Sequence, residues 1–215
     1  MSKFKKKDSY SESMHSEENY DLKKNKKSVN EGILANGEKL SKADKIFASI
    51  GTLEELNAYI GLVKAQFYNS QQSYKIFLFA RLTQIQETIL YIIGSLSTSK
   101  KNLAQYEKTR FSRIYEKNVA EIQEEINKIT NASSSTNSSN EENKCLEKKD
   151  YLMILPGQSV VQSHLLYIRT LIRRSERQII ASKNQNLGLI PEEEIIKYLN
   201  ILGDFFLFVA NSKNN

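Results

Sequence analysis

The chain has 215 residues, with 31 Lys and Arg against 25 Asp and Glu for a formal charge of +6, and it contains only two prolines, eight glycines and one cysteine. That length holds one domain with a substantial core and excludes two large ones. The scarcity of helix breakers points to an all-α fold, and the lone Cys145, in a polar stretch without Cys or His at ligand spacing, excludes an internal disulfide and a zinc site.

Residues 1–30 read as a disordered basic tail, because they mix Lys, Ser, Glu and Asn with almost no aliphatic side chains to offset ordering entropy. The first 27 residues hold eight lysines against five acids, so half of the charge excess lies there and argues little for nucleic acid. The same segment lacks a hydrophobic signal core and is too acidic for a transit peptide. No apolar run approaches the roughly 20 residues that span a bilayer, so the expected address is the cytosol, with the mitochondrial matrix as the alternative.

Residues 31–215 form the folded domain, with five segments of helical spacing. The first runs from about Asp44 to Phe67, placing Ile46, Ile50, Leu53, Leu56, Ile60, Val63 and Phe67 on one side, with Asp44 or Ser41 as its cap. The second, about Tyr74 to Ser97, sets Leu78, Leu82, Ile85, Ile89, Ile92 and Leu96 at alternating steps of four and three, which is one stripe. A third spans about Glu107 to Ile129 through Phe111, Tyr115, Val119, Ile122 and Ile126. Residues 131–149, rich in Ser and Asn, read as a flexible low-complexity loop. The fourth helix covers about Gly157 to Ser182 through Val161, Leu165, Ile168, Ile172 and Ile179. The fifth starts after Pro191, where Glu192, Glu193 and Glu194 suit the positive end of the helix dipole, and carries Ile195, Leu199, Leu202, Phe206 and Val209. Five such helices pack as a bundle.

Chemistry concentrates on the last two helices. Arg169, Arg173, Glu176 and Arg177 lie at spacings of four, three and one, which puts them on one cationic face with Arg174 to the side. Faces of this kind are commonly solvated or paired with acids of a neighbouring helix. Asn200 and Asp204, four apart on the fifth helix, flank an apolar face. They are placed either to meet Arg173 or Arg177 across the helix interface or, through them, to orient arginines onto an anion.

Order and spacing then become specific. Leu155-Pro156-Gly157-Gln158, His164, the run Ile168-Arg169-Thr170-Leu171-Ile172-Arg173-Arg174-Ser175-Glu176-Arg177, and Tyr198-Leu199-Asn200-Ile201-Leu202-Gly203-Asp204 resemble the C-terminal signature of the ATP:cob(I)alamin (corrinoid) adenosyltransferases of the trimeric five-helix-bundle class. Upstream, Gly37-Glu38, Ser41-Lys42, Asp44 and Gly51-Thr52-Leu53-Glu54-Glu55-Leu56-Asn57 resemble that family's first helix and its lead-in, and the likeness covers about residues 37–211.

The resemblance implies a homotrimer that moves the 5′-deoxyadenosyl group of ATP onto cobalt(I) of cobalamin and releases triphosphate, with Mg²⁺ assisting. It implies that Lys42, Arg173, Glu176, Arg177 and Asn200 bind ATP, that Met153 and Asp204 lie near the corrinoid, and that Glu54 and Arg169 meet across the subunit boundary. It names no catalytic side chain and leaves the metal ligands unknown. A corrinoid reductase or a cobalamin-dependent acceptor enzyme would be the outside partner, and neither a membrane nor nucleic acid is expected.

The sequence departs from the family in the phosphate loop before the first helix, where Lys24-Asn-Lys-Lys-Ser-Val-Asn-Glu-Gly-Ile-Leu replaces a threonine- and glycine-rich stretch with an aspartate. Glu54 stands for an aspartate, Gln158 for a second glycine, Ile201 for an arginine and Met153 near a phenylalanine. A trimeric relative that binds nucleotide, corrinoid or a protein partner without turnover is therefore the alternative.

Overall fold

The computed structural model describes residues 29–35, 37–68, 70–98, 117–128, 155–182 and 192–212. The expectations for the basic tail before residue 29, for residues 131–149, and for Cys145, Met153 and Pro191 lie outside them. Among the described residues five helices appear: α1 (Lys45–Ala65), α2 (Ser73–Leu96), α3 (described over 117–128), α4 (Val160–Ser182) and α5 (Glu192–Asn211). The all-α five-helix bundle is thus the fold. Helix α4 packs against both α1 and α5, and α2 packs on α1.

One element was not foreseen from the sequence. A short antiparallel ribbon, β1 (Glu31–Ile33) paired with β2 (Lys39–Ser41), precedes α1 in the register Glu31↔Ser41, Gly32↔Leu40, Ile33↔Lys39. Strands of three residues are too short to show a period of two. The turn closes through Leu34 N–H to the Glu38 carbonyl at 2.9 Å and Gly37 N–H to the Leu34 carbonyl at 2.9 Å, and Gly37 takes a left-handed φ of +82°, which favours glycine. Gly32 lies beneath the Phe47 ring, where a Cβ would come within 2.4 Å of a ring carbon. The missing side chain is what lets the ribbon rest on α1.

Of the two candidate caps for α1, Asp44 acts: its carboxylate accepts from Ile46 N–H at 2.9 Å. Ser41 Oγ accepts from Ala43 N–H at 3.2 Å, before the helix begins. Replacing Asp44 by alanine should cost about 1 kcal/mol of stability, the ordinary value of such a cap. A denaturant titration that finds no shift in midpoint would remove that role.

Helix α4 begins at Val160, three residues later than expected, because Gly157 adopts φ +111° and turns the chain first. Ser159 Oγ accepts from Gln162 N–H at 3.0 Å, while the buried Gln162 side chain reaches back to accept from Gln158 N–H at 3.1 Å. This is a capping box displaced by one residue.

The six-residue stripe of α2 is buried as its spacing predicted, in one core with Leu53, Leu56 and Ile60 of α1, Ile168 and Ile172 of α4, and Tyr198, Phe205 and Phe206 of α5. By length and mean hydropathy α2 would also cross a membrane, contrary to the reading that no run comes close. Its surroundings decide otherwise: the stripe faces other helices, and Arg81, nearly buried on α2, pairs with Glu121 and Glu125 of α3. Asn118 of α3 adds a hydrogen bond to Thr88 Oγ1.

Candidate functional site

Helix α4 turns Leu165, Ile168, Ile172, Ser175 and Ile179 into the core, which leaves Arg173 at the rim of its contact with α5. The half-buried Arg173 is held from two directions. Its Nη1 donates to Asn200 Oδ1 of α5 at 2.6 Å and lies 2.8 Å from Glu176 Oε2 one turn along α4. The second contact is an ion pair without hydrogen-bond alignment.

Glu176 departs from the expected placement. It does not share the open cationic face but turns inward, 7% exposed, so its carboxylate depends on Arg173 for compensation. A buried carboxylate on one side and an amide on the other leave the guanidinium few orientations, and a fixed cation needs little reorganisation when it meets an anion.

Arg177, the next arginine of this face, is exposed and makes no hydrogen bond or ion pair among the described residues. Asp204 is exposed one turn beyond Asn200. Asn200, Glu176 and Arg173 are therefore brought together, with Arg177 beside them on α4. Lys42 stands apart in the turn between β2 and α1, exposed, with its backbone N–H bonded to the Asn30 carbonyl at 2.8 Å and no side-chain bond to this group. Glu54 is exposed on α1, and Arg169 is half-buried on α4 with its Nε enclosed and lacking a hydrogen bond, so the two do not meet within one chain.

Two features were not assigned from sequence. Arg174 pairs with Glu55 of α1, the kind of acid on a neighbouring helix that arginine-rich faces commonly find. Both side chains are well exposed, so this tie contributes little stability. His164, noted only as part of the signature, has both ring nitrogens occupied: Nδ1 is 2.8 Å from the Tyr59 hydroxyl and Nε2 is 3.2 Å from the Gln66 amide. Tyr167 meets the Tyr59 ring edge-on at 4.6 Å. Burial, and after it the neighbouring Tyr167, pushes the Tyr59 phenol above its ordinary pKa. Aromatic and polar residues on α1 could have hinted at this cluster, but which of them meets His164 depends on how the helices are offset.

Among the described residues no group of three or more His, Cys, Asp or Glu is arranged to hold a metal ion.

The protein is an all-α helical bundle that carries Arg173 held by Asn200 and Glu176, and Arg177 without a partner among the described residues, on one stretch of α4. The sequence profile of the cobalamin adenosyltransferases matches residues 26–213, and the chain belongs to that family. It is 30% identical over 169 residues to the corrinoid adenosyltransferase of Bacillus subtilis (strain 168), covering 77% of this chain and 72% of that protein. Among solved structures it is similar to a variant PduO-type ATP:corrinoid adenosyltransferase from Lactobacillus reuteri complexed with ATP, at TM-score 0.62, 23% identity and 84% and 87% coverage of the two chains. A second variant of that type from Lactobacillus reuteri, complexed with cobalamin and ATP, is similar at TM-score 0.62, 24% identity and 84% and 86% coverage. At these identities the solved structures speak for the fold.

Proposed function

We propose that the protein transfers the 5′-deoxyadenosyl group of ATP to cobalt(I) of cobalamin and releases triphosphate. The observation that carries this reading is Arg173 fixed between Asn200 and the buried Glu176, with Arg177, unpaired among the described residues, on the next position of the face.

The reaction asks for two things. The cobalt(I) electron pair attacks the ribose C5′, so a Co–C bond forms while the C5′–O bond breaks and its electrons leave on triphosphate. Negative charge on the leaving group is stabilised by cations already in place, and two bulky reactants must be aligned. Arg173 and Arg177 supply the cations, Glu176 and Asn200 set the direction of Arg173, and Lys42 reaches phosphate. Mg²⁺ bound with ATP would shield the triphosphate charge, and no step is assigned to it.

Met153 and Asp204 take the corrinoid side. Glu54 and Arg169, which find no partner among the described residues, meet across a subunit boundary in a homotrimer. A reductase or an acceptor enzyme would complete the cycle. Light scattering should give a mass near three chains at micromolar concentration, and a monomer there would remove the interface assignment.

A second reading, a trimer that binds its ligand without turnover, is favoured by the loop sequence Lys24–Asn30, which lacks the aspartate and the glycines that grip phosphate and metal. An anaerobic assay separates the two. Alkylated cobalt and triphosphate appearing in equal amounts from ATP support catalysis. ATP binding with neither product supports the second reading and overturns the first.

A further inference from the structure

We propose that the end of the bundle formed by the α1–α2 turn is a docking surface for a protein partner with an acidic segment that carries an apolar side chain. Tyr68 is 75% exposed, Ile76 55% and Phe77 42%, although each is large and apolar. They lie just after α1 and in the first turns of α2, beside a shallow groove lined by Gln72, Ser73, Tyr74 and Phe77. A cluster of exposed aromatic and aliphatic side chains rimmed by polar ones marks an interface more often than a solvated surface.

Charge identifies the occupant. From Leu56 to Gln86 the sequence contains Lys64, Lys75 and Arg81 and not one Asp or Glu. Arg81 is neutralised by Glu121 and Glu125. The other two cations are not: among the described residues neither Lys64 nor Lys75 has an acidic partner. Lys64 donates to Thr83 Oγ1 at 3.0 Å and lies 5.1 Å from the centre of the Phe79 ring, so its charge is held over the aromatic surface. Tyr68 also meets that ring, tilted, at 6.2 Å between centroids. Lys75 adjoins Tyr74 of the groove.

The result is an apolar platform with two positive charges that have no acidic partner among the described residues. A second copy would bring the same sign to the contact and be repelled, whereas acids flanking one apolar anchor match both the charges and the groove. This surface lies on α1 and α2, whereas the Arg173 group lies on α4 and α5. The inference therefore does not depend on the adenosyl-transfer reading.

The test uses the full chain and fluorescence anisotropy with a short labelled peptide of alternating aspartate and leucine, its lysine–leucine counterpart, and phosphatidylglycerol vesicles. Saturable binding of the acidic peptide that weakens with added salt is expected. It should fall roughly tenfold or more in Lys75→Glu and in Ile76→Ser with Phe77→Ser, as central contacts of an interface do. These residues are outside the core, and circular dichroism together with unchanged ATP affinity would show that the variants are folded. Equal binding of the lysine peptide, undiminished binding by the variants, or binding to vesicles alone overturns the proposal, as does a change of oligomeric state in the Ile76 and Phe77 variant.

Discussion

Arg177→Ala should lower affinity for ATP about tenfold or more while leaving helix content and the unfolding midpoint at their original values. Arg177 is exposed and touches no described partner, so its removal takes away one charge and no internal contact. A hydrogen bond between charged groups is typically worth roughly 1.5–3 kcal/mol, and each tenfold change in affinity corresponds to about 1.4 kcal/mol. Arg173→Ala should behave differently. It weakens ATP binding by a similar factor but also strands the Glu176 carboxylate, which is 7% exposed and among the described residues is paired with Arg173 alone. A loss of stability should therefore accompany the loss of binding, and Glu176→Gln in the same chain should recover much of the stability without restoring affinity. Calorimetric titration with ATP and a denaturation curve for each variant read the two quantities separately. If Arg177→Ala binds ATP as tightly as the unaltered chain, the cationic face is not the nucleotide site.

A larger effect on stability is expected on the other side of the bundle, from Arg81→Ala. Arg81 is 9% exposed, donates through Nη1 to Glu121 at 3.2 Å and through Nη2 to Glu125, and joins α2 to α3. Its removal leaves the Glu125 carboxylate, 14% exposed, without its cation, while Glu121, 30% exposed, keeps Lys117 at 3.7 Å. Deleting one member of a fully buried pair costs roughly 3–5 kcal/mol, and the partial exposure of both acids sets the expected loss at or below the lower end of that range. Replacing Arg81, Glu121 and Glu125 together by leucine or methionine should return most of that loss, because no charge then remains to be desolvated. Chemical denaturation of both variants gives the comparison. If Arg81→Ala is as stable as the unaltered chain, the pair is a solvated contact and the α2–α3 seam is held by its apolar residues. ATP affinity should follow neither change, since the seam shares no residue with α4 or α5.

Much of the architecture is local, and so was legible in the sequence. The alternation of four and three in α2 depends only on the helical repeat, and all six stripe residues are buried as that repeat requires. The same logic placed α1 with Asp44 as a candidate cap and α5 with its buried Ile195, Leu199 and Leu202. It also put Arg173 and Arg177 on one face and named Asn200 as a partner for an arginine, which the bond at 2.6 Å bears out. Family membership was equally legible, because motif order and spacing are properties of the chain alone.

What the tertiary structure decided is every matter of offset and rotation between helices. The inward turn of Glu176 cannot be read from a spacing of three, since residues 173, 176 and 177 lie close together on the helical wheel. The contact with α5 sets which of them is covered. The Arg174–Glu55 tie, the Tyr59–His164–Gln66 group and the Arg81 seam join residues far apart in sequence, whose meeting depends on where one helix stops relative to another. The β1–β2 ribbon is the clearest case. Two strands of three residues carry almost no pattern of their own, and their position on α1 rests on one missing Cβ, at Gly32 beneath Phe47. Hydrophobic periodicity determines that a face will be buried, but packing against the other helices determines what that face meets.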